Sequence, residues 1–287
     1  MDKRTTLKNE FLTVQISTMG AELKSIVDKT GEERLWQGDP KWWEGQDPLL
    51  FPVCGCMTEG RYLHNGKSYS MPPHGFAKTS VFTLESVDET KAVYLLKSDS
   101  ETLKVYPFEF ELRVIYEINE NKILVTYCVT NKTDGDMYFS IGSHEAYSCK
   151  GETTDYKLFF EKDESLLNYL LEGPLLTGET EQKELKDGAL TFTDEEFRAL
   201  DTLIFLDTQS KRVTLKSDNS DKTISVEFPG TDNLLIWKEP GAEFLCIEPW
   251  CGLPDYVGEV KEISQKPAIN KLDKDGVFQR THTITID

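Results

Sequence analysis

Apolar residues recur at every second position through much of this chain, and that period is what most restricts its fold. In PFEFELRVIYEI, Phe108, Phe110, Leu112, Val114, Tyr116 and Ile118 fall on one face. Glu109, Glu111, Arg113 and Glu117 fall on the other, with Ile115 the exception. Side chains alternate across a strand, so the pattern specifies a half-buried antiparallel strand. KILVTYCVTN follows after the short link NENK, and the two segments predict a hairpin. FLTVQI, AVYLLK, RVTLKS, TISVEF, EFLCIE and HTITI predict further strands, separated by turn clusters such as HNGKS, NKTDGD and KDGA. Helical signals are few. TDEEFRAL opens with Thr193 and Glu196 spaced as a capping box, and ESLLNYLLE is a second candidate helix. Many short strands with few helices predict a mainly β protein built as one large antiparallel sandwich.

Length and charge narrow the function. The 287 residues are 38% hydrophobic, enough for a sizeable core, and no linker divides them, so one domain over 1–287 is expected. A net charge of −18 disfavours nucleic acid as a partner. No run approaches the length of a membrane span, and MDKRTTLKNEFLTVQ lacks the apolar stretch of a signal peptide, so a cytoplasmic location is expected. The six cysteines are too sparse for a disulfide scaffold. CGC at 54–56 lacks structural-zinc spacing, and no metal is expected at Cys54, Cys56, His64 and His74. There is no P-loop, dinucleotide fingerprint or nucleophile elbow, which limits the reactions open to the chain.

Three stretches carry candidate chemistry. In PPHGFAK, two prolines and Gly75 put His74 on a stiff loop. In YFSIGSHEAY, His144 follows a flexible GS pair at the end of a strand-like run. In EFLCIEPWCGLPD, Phe244, Cys246 and Glu248 share a face while Leu245 and Ile247 take the other; Pro249 is expected to stop the ladder. A carboxylate emerging from a buried strand needs a partner or a function. Desolvation would raise it above the carboxylate reference of about 4.3, as suits a general base. His64 reads as a hairpin tip, and His282 as part of the last strand. Trp42, Trp43, Phe51, Phe76, Trp237 and Trp250 supply core, or stacking surface for a sugar ring. One carboxylate and two imidazoles suit proton transfer between oxygens.

Taken in order, GAELKSI (20–26), LLFPVCG (49–55), PPHGFAK (72–78), YPFEFEL (106–112), FSIGSHEAY (139–147) and LLIWKEPGAEFLCIEPWCGLPD (234–255) resemble the aldose 1-epimerase (galactose mutarotase) family, in its LacX-type branch. The resemblance implies a large β-sandwich with a sugar cleft on one sheet, and cofactor-free exchange of the α and β anomers of a hexose. It implies Glu248 as base, His144 as acid and His74 as a second imidazole at the ring oxygen. Trp237 is a candidate for stacking on the sugar. The chain departs from the family's pattern at two places. Cys56 stands where an arginine usually contacts sugar hydroxyls, with Arg61 the candidate substitute, and Lys78 stands where arginine usually follows HGFA. Asp255 and Asp207 are candidates for a sugar-binding aspartate. Two alternatives stay open: a hexose-6-phosphate 1-epimerase, or a sugar-binding protein that has lost the catalytic rate. No oligomeric state is implied.

Overall fold

The computed structural model describes residues 3–287. The alternating segments form two large antiparallel sheets. The nine-stranded sheet runs in the order Ala189–Thr191, Tyr156–Phe160, Arg212–Ser217, Ser220–Glu227, Val277–Ile286, Lys122–Asn131, Phe110–Asn119, Lys91–Lys97 and Thr83–Val87. The seven-stranded sheet has Phe244–Cys251 near one edge, then Asn233–Trp237, Thr202–Phe205, Leu166–Glu172 and Leu175–Lys183. Ile141–Gly142 and Ala146–Ser148 both pair along Phe244–Cys251. A smaller sheet joins Arg4–Lys8, Leu12–Ser17 and Leu23–Asp28.

The predicted hairpin forms from Phe110–Asn119 and Lys122–Asn131, with Glu120 in the left-handed turn conformation. Its inward face, including Leu112, Val114, Val125 and Val129, meets Leu203, Phe205, Leu234, Ile236, Leu245 and Ile247 of the other sheet in one continuous core. Period-2 burial on both partners is what lets the sheets pack face to face. The opposite face of the seven-stranded sheet is also covered. There Phe244, Cys246 and Ala146 meet Trp36, Trp42, Trp43 and Trp237. Among the described residues, no helix is long and apolar enough to cross a membrane.

Two expectations need correction. ESLLNYLLE is not helical: Leu166–Glu172 is a strand, paired with Leu175–Lys183 across the two-residue turn Gly173–Pro174. Asn168 Oδ1 accepts a hydrogen bond from Ile204 N, tying this strand to the next one in the sheet. Tertiary pairing outweighs the leucine-rich helical propensity. Nor does Pro249 end its strand. Phe244–Cys251 continues through it, with Pro249 opposite Leu234. The missing N–H costs one donor, while the Pro249 carbonyl still accepts from Ser143 N at 3.4 Å. The capping-box helix is present as Asp194–Leu200, where Thr193 Oγ1 accepts from Glu196 N.

Candidate active site

Glu248 owes its position to strand alternation. Leu245 and Ile247 enter the main core, so Phe244, Cys246, Glu248 and Trp250 must face the other way. Glu248 is 1% exposed. Burial, and next the nearby Glu145 charge, push its carboxyl well above the usual carboxylate range.

His144 reaches the same place from the neighbouring edge. Gly142 pairs with Trp250 and Ala146 with Cys246, a register that sets His144 opposite Glu248. His144 Nε2 lies 3.5 Å from Glu248 Oε2. Trp43 stacks on the imidazole at 5.1 Å, and Trp237 meets it edge-on at 5.6 Å. This aromatic sleeve fixes the ring and excludes water. Burial lowers the His144 pKa to about 4.

His74 comes from the stiff loop, and the backbone there is unusual. His74 and Gly75 have φ of 63° and 71°. A Cβ on Gly75 would sit 2.2 Å from the Phe51 carbonyl oxygen, so only glycine lets the loop close against Phe51. Gly55 N donates to His74 Nδ1 at 3.2 Å, which leaves the proton on Nε2 in the neutral ring. Burial, and next the neighbouring His144, hold His74 well below the ordinary histidine pKa. The ring stands edge-on to His144 at 5.7 Å and to Trp250 at 5.5 Å. His74 is therefore a fixed neutral donor.

These three residues line one cavity of about 720 Å³, together with Lys78 and Trp237. That size lies in the range of small-molecule sites. Cys56, Arg61, Asp207 and Asp255 are not among its lining residues. Arg61 pairs with Glu59, its side chain 41% exposed. Asp255 is bound to Lys266 and accepts from Thr58 N. Burial raises the Cys56 thiol pKa, opposed by the charges of Lys266 and Lys78. His144, Cys246 and Glu248 bring donor atoms within 4.8 Å of one another. An imidazole, a carboxyl and a thiol brought together by strand pairing account for that spacing, and no metal is assigned to it.

Sequence reasoning left several cavity residues unread. Glu44 and Asp201 lie outside every stretch singled out above, while Glu22, Lys24 and Glu239 lie within GAELKSI and LLIWKEPGAEFLCIEPWCGLPD but were given no role there. Asp201 is delivered by a helix end, with φ of 63° just after Leu200.

An aldose 1-epimerase family model matches residues 3–265. The chain belongs to the aldose 1-epimerase family. Among its curated relatives are the plasmid and chromosomal forms of Protein LacX from Lactococcus lactis subsp. lactis. Each is 35% identical over 298 residues and matches over 98% of both chains. Among solved structures, this epimerase-family chain is similar to a galactose mutarotase related enzyme from Lactobacillus acidophilus. The TM-score is 0.95 and the identity 28%, over 99% of this chain and 97% of that one. A galactose mutarotase-like protein from Lactobacillus casei ATCC 334 gives 0.94 and 28%, over 99% and 100%. The aldose 1-epimerase family and the galactose mutarotase-like fold agree with the antiparallel architecture above.

Proposed function

We propose that this protein is a mutarotase acting on a neutral hexose, with Glu248 and His144 as its base and acid. The observation that carries this reading is the facing pair itself: a buried carboxyl and a buried imidazole 3.5 Å apart at one end of a sugar-sized cavity. Burial lowers His144 to about 4 and raises Glu248, so when the pair holds a single proton it rests on Glu248. Moving that proton to His144 yields a carboxylate and an imidazolium with no change in net charge. The pair then has one group to accept a proton and one to give a proton.

In the reaction, Glu248 takes the proton from the C1 hydroxyl while His144 gives its proton to the ring oxygen. The C1–ring oxygen bond breaks, leaving an aldehyde at C1. C1 rotates, the hydroxyl attacks the other face, and both protons return. His74 Nε2–H donates to the ring oxygen as charge develops there. Each acid or base group contributes roughly 10²–10⁴-fold. Trp43 and Trp237 provide the apolar wall.

Charge at the cavity favours a neutral sugar over a sugar phosphate. Glu22, Glu44, Asp201 and Glu239 line it, against Lys24 and Lys78. Lys24 is already paired with Glu22 at 2.7 Å. A phosphate clamp needs convergent, uncompensated cations, ideally arginines. The test is to compare kcat/KM for anomer exchange of glucose and galactose with that of their 6-phosphates. Higher values for the neutral sugars support this reading, and higher values for the phosphates would replace it.

A further inference from the structure

Behind the His144–Glu248 pair lies a second buried pair. Glu145 points away from the cavity and is 0% exposed. Its Oε1 accepts from His282 Nε2 at 2.6 Å, and His282 is itself 4% exposed. The two residues are 137 positions apart and join the last strand of the nine-stranded sheet to the segment that carries His144. The Glu145 main chain is fixed as well, since its carbonyl accepts from Ile247 N at 3.3 Å. On the other flank, Ala146 N donates to Gln46 O at 2.9 Å.

We propose that Glu145 is a positioning residue: bound to His282, its carboxylate braces the His144 segment from behind and acts electrostatically on both His144 and Glu248. The proposal rests on the assignment of His144 and Glu248 as acid and base.

The surroundings argue for a role beyond a structural tie. Among the described residues Glu145 Oε2 has no hydrogen-bond partner. A buried carboxylate with a single partner is a costly anchor, and an apolar contact of the same size would brace the segment at lower cost. What the carboxylate adds is charge. The ionisable groups that interact with it are Asp47, Glu248, Cys246, His144, His282 and the tyrosines Tyr116, Tyr127 and Tyr147. Asp47 is pushed well above the carboxylate range, first by burial and then by Glu145 and Glu22. The charges acting on Glu248 are Glu145 and Asp201, while Lys78 and Glu145 act on His144 in opposite directions. Glu145 therefore favours the protonated form of both members of the acid–base pair.

Glu145→Gln tests this, because the amide keeps the shape and still accepts from His282 but carries no charge. The pH profile of anomer exchange should move bodily to lower pH, both limbs by roughly half a unit or more. A lower plateau with both limbs unmoved would mean that Glu145 only holds structure, and would overturn the proposal. A second readout does not depend on turnover. In protein labelled with ¹³C at the glutamate carboxyls, the Glu248 signal, assigned by its absence from Glu248→Gln, should titrate at lower pH in Glu145→Gln. An unchanged midpoint would overturn the proposal even if the wild type exchanged no sugar, the result that would separately defeat the acid–base assignment. Should Glu145→Gln fail to fold, His282→Gln replaces it: the amide still donates to Glu145 and leaves its charge in place. The Glu248 midpoint should then hold or rise, and a fall would contradict the proposal.

Discussion

His144 and Glu248 face each other across paired strands, with Nε2 3.5 Å from Oε2, although 103 residues separate them in the chain. Between the His144 and Glu248 pKa values these two buried groups on one sheet share one proton, and most of the chemistry follows from that. Below about pH 4 His144 gains a proton while Glu248 keeps its own, and no base remains. Above the raised Glu248 pKa the pair loses its last proton, and no acid remains. Exchange should therefore fall on the acid side near 4, hold a plateau between the two pKa values, and fall again above the raised Glu248 pKa. A rate profile from pH 3 to 10, corrected for the uncatalysed reaction, checks this. A rise through pH 6–7 with no plateau would contradict it.

The loop that presents His74 depends on Gly75. Gly75→Ala places a methyl 2.2 Å from the Phe51 carbonyl and forces a φ of 71° on an L side chain. The variant should lose about 2–4 kcal/mol of stability, measured by denaturant titration. Exchange should drop with it, because His74 is displaced. Full stability in Gly75→Ala would show that the loop is not locked in this way.

Lys78 and Arg61 should separate cleanly. Lys78 lines the cavity, and burial lowers its pKa. Arg61 lies outside the lining and is paired with Glu59. Lys78→Gln should raise KM for a neutral hexose about tenfold with little change in kcat, as expected when a hydroxyl contact is weakened. Arg61→Ala should leave both constants unchanged. An increase in KM from Arg61→Ala would restore it as the substitute for the arginine absent at position 56.

Much of this was legible in the sequence because period 2 is a local signal. The hairpin around Glu120 and the face shared by Cys246 and Glu248 can both be read by counting alternate residues. The leucines of Leu166–Glu172 misled because their helical propensity was overruled by Asn168 and the neighbouring strands, contacts that lie outside the segment. Pro249 misled because a proline forfeits one donor without ending a strand whose other contacts persist. Asp201 could not be read at all: loop closure brings it to the cavity, and no spacing in the chain records it. Glu22 lies within GAELKSI, but nothing local to that stretch shows that it reaches the cavity. Glu145 was hidden differently: its partner His282 is far away in the last strand, so neither residue forms a motif by itself.

Trp43 covers the imidazole of His144 and borders the sugar cavity. Trp43→Ala should open His144 to water and raise its pKa toward the ordinary histidine value. The acid limb of the rate profile should then move to higher pH, with KM rising as the apolar wall is lost. A limb that stays near pH 4 would show that the deeper strand segment, rather than the tryptophan, desolvates the ring.

The most direct measurement is anomer exchange of glucose and galactose at equilibrium, followed by NMR saturation transfer with wild type and with Glu248→Gln at the same protein concentration. Glutamine keeps the shape at this buried position but cannot take the C1 proton. The account predicts clear acceleration by wild type and a loss of roughly 10²-fold or more in Glu248→Gln, with hexose binding retained. Exchange by Glu248→Gln at the wild-type rate would contradict it, as would a wild type that binds hexose without accelerating exchange.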